Sequence, residues 1–101
     1  MSITLKEALS AIDASIAKAE AISVPVVVSV VDAGGHMIAQ AKMDDCIYAS
    51  ISISYYKAQT AIFMKMATHE LAEVSQPGKA LWGLGESSCG NLILFGGGFL
   101  V

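Results

Sequence analysis

The strongest constraint on the fold is a run of apolar, mostly β-branched residues over 24–31, interrupted only by Pro25 and Ser29 and closed by Asp32-Ala33-Gly34-Gly35. Such a strand offers no polar side to water and reads as one buried on both faces. Pro25 falls at its start, where no ladder donor is required. The Asp-Ala-Gly-Gly tetrad is a turn in which glycine supplies the positive φ. Residues 36–43 then read as the returning strand of a hairpin. A sheet this apolar needs helices to cover it.

The first helix is announced by Thr4-Leu5-Lys6-Glu7, a capping box in which the threonine hydroxyl and the Glu7 carboxylate satisfy each other's backbone donors. Leu5, Leu9, Ile12, Ile16 and Ala19 recur at helical spacing, so an amphipathic helix runs to about Ile22. Residues 48–66 are ambiguous. Ala49, Ile51, Ile53 and Tyr55 alternate with serines as in a strand, while Ile51, Tyr55, Ala58 and Ile62 mark one helical face. Length favours one helix from about Tyr48 to Met66, although periodicity leaves both open. Thr68 caps a short helix over 69–75, stopped by Pro77-Gly78. Residues 79–86, around Trp82, read as irregular, and 91–95 as a short apolar strand leading to Gly96-Gly97-Gly98.

A chain of 101 residues is expected to be one domain, residues 1–101. Hydrophobic residues make up 54% and charged residues 15%, more apolar surface than so small a monomer hides easily, so a homo-oligomer, dimer or higher, is expected. The net charge is −3 and all six basic residues are lysines. Without arginine or a basic run, neither nucleic acid nor an anionic membrane surface is an expected partner. The longest apolar stretches, 24–31 and 92–101, are too short to span a bilayer. With no apolar leader at the N-terminus, a cytoplasmic protein is expected. Cys46 and Cys89 are not spaced as a redox pair and read as reduced thiols.

The order of motifs resembles the GlcG/HbpS-like haem-binding family, which includes the C-terminal domain of PduO-type corrinoid proteins. The resemblance rests on Val30-Val31-Asp32-Ala33-Gly34-Gly35-His36 and Lys57-Ala58-Gln59-Thr60-Ala61. It continues through Thr68-His69-Glu70-Leu71, Gln76-Pro77-Gly78 with Leu81-Trp82-Gly83-Leu84, and Leu94-Phe95-Gly96-Gly97-Gly98. It implies a profilin-like α+β fold, an antiparallel sheet with helices packed on it, assembled as oligomers, and it settles residues 48–66 as helix. It implies haem or a related tetrapyrrole as ligand. Members of the family continue past the triple glycine into a further strand and helix that this sequence lacks. The resemblance therefore implies a C-terminally incomplete sheet with an open apolar edge, either because the chain is truncated or split or because another chain completes the fold.

The candidate ligand-binding residues follow from chemistry. His69 and His36 are the only imidazoles, and neutral imidazole is the common ligand to haem iron and other metals. Each also has a plain reading, His69 as a surface residue near a helix start and His36 as a solvated turn residue, and neither sits in an HExxH-type motif. Gly96-Gly97-Gly98 presents backbone N–H groups that can hold a carboxylate such as a haem propionate, or simply makes a turn. Lys57 offers a charge partner for the same group, or a solvated helix lysine. Phe95, with Tyr55, Tyr56, Phe63, Phe99 and Trp82, can line an apolar pocket or fill a core. No catalytic set is evident. Cys46 lies beside two aspartates and is a poor nucleophile candidate, and no serine sits in GxSxG. The reading is thus a small-ligand-binding module for haem or a related tetrapyrrole, acting as an oligomer. The alternatives are a structural or interaction protein with a vestigial pocket, or an accessory enzyme of cofactor metabolism.

Overall fold

A computed structural model describes residues 3–87, 92–94 and 96–100. In chain order the elements are α1 (Leu5–Ala21), β1 (Val27–Val31), β2 (Met37–Lys42), α2 (Ala49–Met64), α3 (Thr68–Val74) and α4 (Leu84–Ser87). This is the expected α+β architecture: an antiparallel hairpin with helices packed on it. None of the described helices is long and apolar enough to cross a membrane.

The capping box at α1 forms as read. The Glu7 N–H donates to Thr4 Oγ1 at 3.1 Å and the Thr4 N–H to Glu7 Oε1 at 3.0 Å. The buried stripe of the helix differs from the expected one. Ala8, Ile12 and Ala19 are buried, while Leu5 and Leu9 are about half exposed. Small alanines bring the helix close to the sheet, and the leucines lie at the margin of that contact.

In the sheet, Val28 pairs with Ala41 and Ser29 with Gln40, with an irregularity between Val30 and Val31. The strand begins three residues later than expected, and Val24 is exposed. Its residues are half-buried rather than buried on both faces. Among the described residues only β2 pairs with it, so its other edge lacks the neighbour that full burial requires.

Helix α2 covers β1 and brings polar groups to the contact. Ser29 Oγ and Ser54 Oγ lie 2.7 Å apart. The Gln40 side-chain amide donates to Ser29 Oγ and to the Ile51 carbonyl, each at 2.9 Å. The serines that gave this segment its strand-like alternation therefore include the one that bonds the sheet. The helix stops at Lys65, which takes a left-handed conformation with φ 54°.

Helix α3 starts one residue earlier than expected. Ala67 holds the extended N-cap position and Thr68 is the first helical residue, so its hydroxyl is not a cap and is used elsewhere. Residues 79–86 are irregular only as far as Gly83, because a single helical turn forms at Leu84–Ser87. The strand expected at 91–95 is not formed at residues 92–94; Asn91 and Phe95, like Cys89, lie outside the described residues.

Candidate functional site

The structure gathers Lys57 from α2, His69 from α3 and the Gly96-Gly97-Gly98 segment into one corner. A Cβ placed on Gly96 would sit 3.4 Å from His69 Cβ. One placed on Gly97, whose φ is 128°, would sit 2.8 Å from Lys57 Nζ. Gly98 is buried against the Lys57 backbone carbonyl and the Thr68 methyl group, where no side chain fits. Its N–H donates to Thr68 Oγ1 at 2.8 Å, and its carbonyl accepts from the Thr68 N–H at 2.9 Å. The next residue, Phe99, puts its ring 5.7 Å from the His69 ring. Neither nitrogen of that exposed imidazole has a hydrogen-bond partner among the described residues. Phe95, expected here, lies outside the described residues.

His36 stands apart from this corner. It is 81% exposed on the hairpin turn, with Nδ1 3.2 Å from Asp32 Oδ1. The same oxygen accepts from the Gly34 N–H at 2.9 Å and the His36 N–H at 3.0 Å. The backbone bond from His36 is the largest influence; burial opposes it, but the bond from Gly34 and the charge and side-chain bond of His36 add to it, and together they hold the Asp32 carboxyl below the ordinary aspartate range. The turn is also pinned from α2, where the Gln59 side-chain amide donates to the Gly35 carbonyl at 2.9 Å and to the Tyr55 hydroxyl at 2.8 Å. Among the described residues no three histidine, cysteine or carboxylate side chains gather as a metal site.

Among the described residues, hollows lie on the two sides of the sheet, and two of them bear on the corner and the turn. The larger, about 820 Å³, reaches the glycine corner through Lys57, Gly97, Gly98 and Phe99, and its volume lies within the ~300–1,000 Å³ of small-molecule sites. It touches every residue from Pro25 to Val30. Consecutive strand residues point to opposite faces, so this hollow runs along the open edge of β1, between α1 and α2. Among the described residues its ionisable lining groups are Lys18 and Lys57. The smaller hollow, about 450 Å³, carries Glu7 and Asp32 instead.

Sequence reasoning did not foresee the Thr68–Gly98 pair, the Gln59–Gly35 bond or the approach of Phe99 to His69. The signal present was compositional. Gln59 lies inside the Lys57–Ala61 motif, and Thr68 beside His69 in the next.

Comparison with known proteins places these features. A family model described as haem degrading protein HbpS-like matches residues 3–101. The chain is 41% identical over 99 residues to the corrinoid adenosyltransferase PduO of Citrobacter freundii, covering 98% of this chain and 30% of that protein. It therefore spans less than a third of that relative. It is 43% identical over 99 residues to an uncharacterized 15.0 kDa protein of the dhaT-dhaS intergenic region in Citrobacter freundii, covering 98% of this chain and 70% of that one. Among solved structures, Klebsiella pneumoniae protein ORFY superposes with a TM-score of 0.92 at 40% identity, over 96% of this chain and 67% of its own. A PduOC:heme complex superposes with a TM-score of 0.92 at 39% identity, over 96% of this chain and 70% of its own.

Proposed function

The chain belongs to the family of haem-degrading, HbpS-like proteins, and from that premise we propose that it is a binding module for haem or a related tetrapyrrole. The observation that carries the reading is the glycine corner, where a histidine, a lysine and an aromatic ring meet at the end of an apolar hollow. Its likeness to a structure solved with haem supports the choice of ligand. The donor set fits the group. His69 offers an imidazole to the iron, and iron held by imidazole supplies the redox and oxygen-binding chemistry of haem. Lys57, with the N–H groups of Gly96 and Gly97, offers positive charge and donors to a propionate. Phe99 offers a ring face to the macrocycle. The exposed Leu5, Leu9, Ile47, Tyr48 and Phe63 support action as an oligomer, since side chains of this kind are buried where copies meet.

Titration of the chain with hemin tests the reading. The expected result is a saturable Soret change that is lost in His69→Ala and kept in His36→Ala. No saturable change in the wild-type chain, or loss in His36→Ala alone, overturns it.

A second reading is favoured by one observation, the hollow that follows the open edge of β1 residue by residue. In it the chain is an interaction protein whose edge takes up an extended strand from a partner. A chain that is aggregated by itself, binds no hemin and becomes monodisperse with such a partner supports this reading. A well-behaved hemin-binding chain opposes it.

A further inference from the structure

Thr60 and Thr68 are both fully buried, and the hydroxyl oxygen of each accepts from a backbone N–H some thirty residues away. Thr60 Oγ1 donates to the Tyr56 carbonyl at 2.6 Å and accepts from the Ile93 N–H at 2.9 Å. Thr68 is joined twice to a single residue, Gly98, through its own N–H and its hydroxyl oxygen. Residues 96–100 belong to no helix or strand, so no ladder of their own fixes where the corner lies.

We propose that Thr68 is the positioning residue of the ligand corner. It clamps Gly98 and thereby sets Gly97 against Lys57 and Phe99 against His69. The proposal rests on the haem reading for the identity of the ligand, but the clamp itself does not. Two facts make Thr68 the fixed point. Gly98 is buried, so its N–H finds no water to replace a lost hydroxyl. It also lies against the Lys57 backbone, too close for any side chain, so the segment has one seat. The amide of the first helical residue has no acceptor within its own helix, and the Gly98 carbonyl supplies one. Valine at position 68 keeps the shape and the backbone bond but leaves the Gly98 N–H unmet. Serine keeps both bonds.

Four chains test this: wild type, Thr68→Val, Thr68→Ser and, as a matched loss of a buried threonine hydroxyl away from the corner, Thr60→Val. Each is titrated with hemin, its melting temperature is recorded, and amide exchange is followed at Gly98 and Ile93. Thr68→Val is expected to weaken hemin binding about tenfold or more, Thr68→Ser to stay within about twofold and Thr60→Val within about threefold, an unmet buried donor being worth a tenfold step or more. Gly98 exchange is expected to quicken in Thr68→Val alone, and Ile93 exchange in Thr60→Val alone. Equal weakening by both valine variants, tracking melting temperature, overturns the proposal, because general loss of stability then explains it. So does unchanged Gly98 exchange in Thr68→Val. If the wild-type chain binds no hemin the haem reading fails, and the Gly98 exchange still decides whether Thr68 holds the segment.

Discussion

The molecule has two glycine-rich corners beside a histidine, and they are built in opposite ways. The hairpin turn at residues 32–36 is largely self-contained, since one carboxylate oxygen of Asp32 takes bonds from Gly34 and from two atoms of His36. The corner at residues 96–98 draws its bonds and contacts from Lys57, Thr68 and His69, about thirty to forty residues earlier. A histidine in a local turn is spent on that turn, as Nδ1 of His36 is spent on Asp32. Beside the corner assembled from distant elements, the ring nitrogens of His69 have no hydrogen-bond partner among the described residues.

The contrast can be broken most forcefully with glycine. Gly98→Ala is expected to cost about 3 kcal/mol of stability, because the added carbon meets backbone that cannot turn aside. Gly35→Ala is expected to cost less, about 2 kcal/mol, although its φ is 82° and its new carbon would lie 2.5 Å from the Phe63 ring. That ring, about half exposed, can swing outward. Denaturant titration of both variants checks the order, and the reverse order denies that the distant corner is the more tightly specified. A smaller effect sharpens the comparison. Gln59→Ala removes the bonds to Gly35 and Tyr55 and is expected to cost about 1 kcal/mol while leaving hemin affinity unchanged. An equal loss of affinity joins the two corners into one unit.

The smallest effect concerns pH. The carboxyl of Asp32 is held below its ordinary range in the folded chain. Its contribution is therefore fully present above the unfolded value, about pH 4, and is lost as pH falls through the folded value. Thermal melts of the wild-type chain are expected to show this acid-side decline, and Asp32→Asn to show less of it. Identical acid profiles deny the turn its carboxylate anchor.

How much of this was legible in the sequence depended on how far each element reached for its partners. The capping box of α1 lies within four residues and could be read outright from Thr4 and Glu7. The hairpin turn is equally local. Helix α2 was ambiguous because its serines imitate a strand, and only the tertiary bond from Ser54 to Ser29 explains why a polar residue belongs on that face. Thr68 was read as a helix cap because threonine commonly serves there. The distant N–H of Gly98 claims its hydroxyl instead, and no local pattern reveals that. Lys57, His69 and the glycines were singled out by the chemistry of each residue, while their proximity came only from the fold. Leu5 and Leu9 misled because helical spacing names a face without showing how much of it the sheet is wide enough to cover.

The polar trio of Ser29, Ser54 and Gln40 bears on how the hairpin finds its alignment. Val27, Val28, Val30 and Val31 are alike, so hydrophobicity by itself gives the returning strand little reason to choose one partner over its neighbour. A slip of one residue would turn Gln40 to the other face, stranding its amide away from Ser29 and the Ile51 carbonyl. The misaligned hairpin would then meet α2 with unanswered hydroxyls. Two half-buried serines and an exposed glutamine thus act as a proofreading check on a strand that is otherwise blind to its own register.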